Sequence, residues 1–181
     1  MAHWESIAGW FDFREVYQML VERGQDGDTF VEVGSYLGRS GCCFGELIKT
    51  SGKKITLLCV DQWPAQFDFG KDGIIEAPFE TFYSNVRQSG LTKIIVPIRA
   101  ESTWAAQFVA NDLAAVFIDG DHEYAGCSAD IKAWLPKVRV SGILAGHDFS
   151  NGFPGVVKAA RQAFGTKFRT MGQCWIYDKP A

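Results

Sequence analysis

Much of what would assign this chain to a common class is missing. Its five cysteines (Cys42, Cys43, Cys59, Cys127 and Cys174) form no CxxC pair and no regular spacing. That excludes a disulfide framework and a zinc site built on paired cysteines. The thiols read as small buried hydrophobes in a reducing cytoplasm. No apolar run approaches the ~20 residues of a membrane helix. The N-terminus, Met1-Ala2-His3-Trp4-Glu5, has no basic stretch leading into an apolar one, so no signal peptide is expected. There is no excess of basic residues: the net charge is −3, and the electrostatic footprint of a nucleic-acid binder is absent. Internal repeats, low-complexity segments and charge blocks are absent too.

What is present is apolar and aromatic. Hydrophobic residues make up 47% of 181, enough for a packed core in one domain, 1–181. Of the 25 aromatic residues, 11 fall within 4–17 and 63–83. That clustering predicts a local apolar wall facing a ligand or a subunit partner rather than an evenly aromatic core. Residues 1–27 read as an N-terminal helical cap, and 63–80 as a long lid loop.

Apolar periodicity predicts helices over 11–23, 38–50, 79–89, 103–110, 124–135 and 154–164. Continuous apolar runs predict strands over 29–33, 55–60, 93–97, 113–118 and 142–146. Two further strands, 167–171 and 173–178, meet tightly at Gly172. Strands alternating with helices make right-handed βαβ units. The expected fold is therefore α/β and Rossmann-like. Its sheet has seven mostly parallel strands, ends in an antiparallel hairpin and carries helices on both faces.

Ligands of such sheets bind beyond the carboxyl ends of the strands. Here those ends carry Glu32, Asp61, Glu101, Asp119 and the pair His147-Asp148. The first turn, Glu32-Val33-Gly34-Ser35-Tyr36-Leu37-Gly38-Arg39-Ser40, spaces its glycines G-x-x-x-G. The nicotinamide fingerprint G-x-G-x-x-G is absent, which disfavours an oxidoreductase. Gly34 permits a sharp turn and close approach of a ligand. The helix start at Gly38–Ser40 offers free N–H groups to an anion. A carboxylate at Glu32 can accept from a ligand ammonium. Asp61, ending the second strand, suits ribose hydroxyls. Asp119 and Asp148 leave adjacent strands, and two hard oxygen ligands suit a cation such as Mg²⁺. His122 titrates in the range of a general base.

Four segments in order carry a family resemblance: Phe30–Ser40, Val60-Asp61-Gln62-Trp63, Phe117–Tyr124 and Gly146-His147-Asp148-Phe149. Over residues 28–178 the chain resembles the class I S-adenosylmethionine-dependent methyltransferases. In detail it is similar to the small-molecule O-methyltransferases of the macrocin, mycinamicin and cephalosporin-hydroxylase-like group. The resemblance implies S-adenosylmethionine as cofactor and EC class 2.1.1. It implies that Glu32, Gly34, Ser35, Tyr36, Gly38 and Ser40 hold the methionine portion. Asp61, Gln62 and Trp63 would hold the ribose, and Glu101 and Ser102 the adenine, with Asp119 beside the cofactor. It implies His122 as catalytic base and Asp119, His147 and Asp148 as metal ligands for Mg²⁺. Metal-dependent relatives carry a carboxylate where His147 stands. The expected activity is methyl transfer to a hydroxyl of a small molecule, in a cytoplasmic protein that self-associates. The competing reading is a non-catalytic module that binds S-adenosylmethionine.

Overall fold

A computed structural model describes residues 3–68, 74–76 and 78–180, with backbone alone at 67, 68, 74 and 75. A 3₁₀ turn, His3–Ser6, precedes helix α1 (Arg14–Arg23). Then come β1 (Thr29–Val33), α2 (Arg39–Ser51), β2 (Thr56–Asp61), β3 (Gln66–Asp68) and β4 (Ile74–Glu76). After these follow α3 (Pro78–Gln88), β5 (Ile95–Arg99), α4 (Ser102–Phe108), β6 (Leu113–Ile118) and α5 (Tyr124–Trp134). The chain ends with β7 (Val138–Gly146), α6 (Pro154–Phe164), β8 (Arg169–Met171) and β9 (Cys174–Asp178).

The main sheet has seven strands in the order β5-β2-β1-β6-β7-β9-β8. β1, β2, β5, β6 and β7 pair in parallel, and β9 pairs antiparallel with both β7 and β8. This is the Rossmann-like sheet with a terminal hairpin that the strand pattern predicts. All six residues of β6 are buried, because helices cover both faces of the central strands. Strand alternation divides the core. Phe30 and Phe117 pack with Tyr17, Phe44 and Phe82 from α1, α2 and α3. Val31, Val116 and Ile118 pack with Ile131, Trp134, Ala159 and Phe164 from α5 and α6. Among the described residues no helix is long and apolar enough to cross a membrane.

Several boundaries differ from the sequence pattern, for local reasons. The helix expected from residue 11 begins at Arg14, since Phe11 and Phe13 turn inward as packing side chains. The edge strand β5 starts two residues late: the amides of Ile94 and Ile95 both bond the Leu91 carbonyl in a turn. Its Pro97 is tolerated because an edge strand has one unpaired side. β7 begins four residues before the apolar run that announced it, and its half-exposed first part reads as loop.

Two larger expectations change. The 63–80 lid contains an antiparallel ribbon, Gln66–Asp68 against Ile74–Glu76, and then the start of α3 at Pro78. Residues 69–73 and 77 of that segment lie outside the described residues. Part of the aromatic wall is core, while Trp10, Phe11 and Trp63 also border the cleft beyond the sheet. Phe13, Tyr17, Trp63 and Phe82 are buried, whereas Trp10 is 71% exposed.

Candidate active site

The parallel strands end on one rim, and the loops beyond them enclose a cleft of about 870 Å³. The first loop owes its shape to Gly34. Its φ is +87°, and a Cβ there would stand 2.0 Å from the Asp119 carbonyl oxygen. The turns after β1 and β6 therefore touch, which only glycine allows.

Glu32 is fully buried beneath this turn. Its carboxylate accepts from the Tyr17 hydroxyl at 2.6 Å and from the Ser35 hydroxyl at 2.6 Å. Burial raises its pKa, and the hydrogen bonds from Ser35, Tyr17 and Ser40 oppose that rise. Glu32 is thus a brace under the turn and does not line the cleft. Gly38 does not line it either. It adopts φ +88° to start α2, with the Phe82 ring against its Cα. Ser35, Tyr36 and Ser40 do line the cleft, as does Gly34.

Asp61 leaves β2 with both carboxylate oxygens engaged. Oδ2 accepts from the Tyr36 amide at 2.8 Å and Oδ1 from the Trp63 amide at 3.0 Å. The Trp63 indole N–H returns to the Tyr36 carbonyl at 2.6 Å. Asp61, Gln62 and Trp63 together form one wall. The next wall is the start of α4. The Glu101 carboxylate accepts from the Thr103 hydroxyl and from the amides of Thr103 and Trp104, and the hydroxyl bond above all, with the amides behind it, lowers its pKa against partial burial. The Ser102 hydroxyl accepts from the Trp134 indole N–H at 2.8 Å. Asp130 of α5, absent from the sequence reading, joins this wall. Burial pushes it up to about 6, against a hydrogen bond from Ser102.

The far end of the cleft gathers Asp119, His122, His147 and Asp148. His122 Nε2 lies 3.0 Å from Asp148 Oδ2, and its ring packs on Phe153 at 4.9 Å. The bond to Asp148 raises the His122 pKa more than partial burial lowers it. His147 Nδ1 lies 3.3 Å from Asp148 Oδ1 and 3.6 Å from Asp119 Oδ1. Its Nε2 lies 2.9 Å from Asp12 Oδ1, and its ring packs at a tilt against Phe13, 4.6 Å between centroids. Burial pulls this histidine down, but the bonds and charges of Asp119 and Asp148 outweigh it and push it up to about 10. Asp148 is held below the usual carboxylate range: its two histidine partners overcome the effect of burial. Burial raises Asp119.

The donor atoms that converge, within 4.8 Å of one another, belong to Asp119, His122 and Asp148. This differs from the expected set of Asp119, His147 and Asp148. Both nitrogens of His147 face carboxylates, and a protonated imidazole has no lone pair for a metal. Asp12, which anchors His147 from the N-terminal segment, left no trace in the strand pattern. The contact spans 135 residues of sequence.

With this geometry in place, comparison with known proteins sets the class. Residues 31–149 match the family described as methyltransferase domain, and the chain belongs to it. The fold is similar to that of the O-methyltransferase NovP, at 18% identity and TM-score 0.71, covering 93% of this chain and 79% of that one. It is also similar to a SAM-dependent O-methyltransferase from Thermotoga maritima, at 10% identity and TM-score 0.67, covering 97% and 68%. A third is CalS11, a TDP-rhamnose 3′-O-methyltransferase of calicheamicin biosynthesis, at 15% identity and TM-score 0.61, covering 91% and 76%. A search of curated proteins returned no match.

Proposed function

We propose that the chain transfers the methyl group of S-adenosylmethionine to a hydroxyl of a small molecule, with His122 as general base. The observation that carries this reading is the 3.0 Å contact between His122 Nε2 and Asp148 Oδ2 at one end of the cleft. The cleft volume suits a small-molecule site. The residues fit the cofactor: an uncapped helix start at Arg39–Ser40, a strand-end Asp61 and a Ser102–Asp130 wall lie in sequence along one cleft.

When bound, S-adenosylmethionine supplies an electrophilic methyl group on a sulfonium. The chain has to place the acceptor oxygen in line with that methyl and take its proton. Asp148 accepts from the Nε2–H of His122, which fixes the tautomer and leaves Nδ1 as the basic nitrogen. The carboxylate also stabilises the imidazolium that forms. Turn residues Gly34, Ser35, Tyr36 and Ser40 line the methionine end, with Glu32 and Gly38 shaping them from behind. Asp61, Gln62 and Trp63 line the ribose position, and Glu101 and Ser102 the adenine position.

Asp119 and Asp148 would hold a divalent cation such as Mg²⁺, which would act as a Lewis acid on the acceptor hydroxyl. His147 stands beside them as a fixed positive charge. A cation bound by Asp119, His122 and Asp148 together would make His122 a ligand rather than the base, so metal and base roles compete. Chelation separates them. Activity indifferent to EDTA supports His122 as the base, whereas loss on chelation with recovery in Mg²⁺ supports metal assistance.

The experiment that tests the proposal is calorimetry with S-adenosylhomocysteine, followed by a methyl-transfer screen over catechols, sugars and other hydroxylated metabolites. Failure of the native protein to bind S-adenosylhomocysteine would remove the reading. Binding with no turnover on any acceptor would favour a non-catalytic S-adenosylmethionine-binding module.

A further inference from the structure

Basic residues are not spread evenly along this chain. Residues 149–177 hold four Lys or Arg and no Asp or Glu, although the net charge of the whole is −3. Two of the four, Lys158 and Arg161, stand three apart on α6 and line a second groove, of about 560 Å³. Among the described residues that line it there is no carboxylate, whereas the first cleft is rich in them. Like charges three residues apart on a helix repel. Other cations of the chain are offset: Arg139 pairs with Asp28, and Lys53 donates to the carbonyls of Val21, Glu22 and Gly24. Among the described residues no carboxylate forms an ion pair with Lys158 or Arg161.

The donors of this groove are held in place. Lys158 Nζ stands 4.4 Å from the centre of the Tyr124 ring, and Arg161 Cζ 5.9 Å from that of Phe149. The Tyr124 hydroxyl donates to Gln162 Oε1 at 2.7 Å, which leaves the amide NH₂ of Gln162 to donate. Two cations and an amide N–H suit the several oxygens of a phosphoryl group. The groove is also locked to the catalytic end of the first cleft. Tyr124 follows His122 by two residues, and Phe149 follows Asp148. A Cβ on Gly155 would stand 2.5 Å from the Tyr124 amide nitrogen and 2.6 Å from the His122 carbonyl oxygen, so the first turn of α6 sits directly on the His122 loop. Phe153 packs on His122 and lines the cleft, while Asn151 and Pro154, on either side of it in sequence, line the groove.

We infer that this groove takes a phosphate or diphosphate ester carried by the methyl acceptor. The acceptor class is then a phosphorylated, hydroxylated small molecule, anchored on Lys158 and Arg161 while its hydroxyl meets His122. This rests on the methyltransferase reading above and names the acceptor class within it.

Pyrophosphate probes the groove, and phosphorylated and unphosphorylated forms of the same sugars and nucleosides probe the acceptor. Calorimetry on the full chain loaded with S-adenosylhomocysteine should show pyrophosphate binding. The double variant Lys158→Gln, Arg161→Gln should weaken it more than about tenfold, as expected for the loss of two charge-assisted contacts. Its affinity for S-adenosylhomocysteine should stay native, which checks folding. At least one phosphorylated compound should displace pyrophosphate and bind more than about tenfold tighter, because it adds contacts in the cleft. The double variant should raise the KM for its methylation. Absence of pyrophosphate binding, or equal binding by the native chain and the double variant, would overturn the inference. If no phosphorylated compound binds tighter than pyrophosphate, the groove takes a free anion alone and the inference is wrong. Turnover of unphosphorylated acceptors that the double variant does not slow would overturn it and leave the methyltransferase reading standing. Failure of the native chain to bind S-adenosylhomocysteine would strike that reading itself.

Discussion

Glu32 and His122 are both polar residues near strand ends, and their surroundings give them opposite uses. Glu32 is sealed under the first turn by the hydroxyls of Tyr17 and Ser35. Tyr17→Phe removes one donor from a buried carboxylate, which costs roughly 1–3 kcal/mol. Urea unfolding should show that loss, together with a further rise in the Glu32 pKa. His122 is about half-exposed and pairs with Asp148, with Asp119 and Asp121 adding to the negative charge around it. His122→Ala should lower methyl transfer by about 10²–10⁴-fold while leaving S-adenosylhomocysteine affinity unchanged. The pH dependence has a definite sign. Asp148 raises the His122 pKa, and a base must be unprotonated. The rate should therefore rise with pH through a value above 6.5. In Asp148→Asn the limb should move to lower pH and the plateau should fall. A pH–rate profile that does not move would remove Asp148 as the partner.

At the scale of elements, the residues that punctuate the chain carry much of the design. Gly34 combines a positive φ with contact between two loops. Gly34→Ala should destabilise by ~3 kcal/mol or more, since it adds backbone strain and a clash with the Asp119 carbonyl. Chemical denaturation measures this directly. A neutral substitution would mean that the loops can part without cost. The buried strands β1, β2 and β6 were legible because a strand covered on both faces is a continuous apolar run. Their ends were less legible. Glu101 caps α4, and the Leu91 turn delays β5; both depend on hydrogen bonds that apolar periodicity does not register. The ribbon β3–β4 lay hidden in a segment that reads as loop because its strands are three residues each.

At the scale of the whole molecule, the N-terminal segment is tied to the sheet rim by charge. Asp12 reaches His147, and His147 reaches Asp119 and Asp148. A histidine raised from 6.5 to about 10 stabilises the fold fully below about pH 6.5 and loses that contribution as pH rises through about 10. Asp148, lowered from 3.8, contributes above that value and loses its contribution in acid. The melting temperature should therefore fall progressively from about pH 6.5 toward pH 10. In His147→Gln the alkaline fall should flatten. An alkaline fall of the same size in that variant would place its cause elsewhere in the molecule.

The sequence alone determined the layers, the order of strands and helices, and the polar residues that close each strand. These are local matters of apolar period and chain punctuation. Because parallel strands end on one rim, it also directed Asp61, Asp119, His122 and Asp148 to one cleft. Only the tertiary structure decided which polar residues brace and which face the ligand. It buried Glu32 under the turn and gave His147 to three carboxylates. Each outcome depends on contacts between distant segments, such as Tyr17 with Glu32 and Asp12 with His147. Burial and electrostatics act across those contacts, and no window along the chain contains both partners.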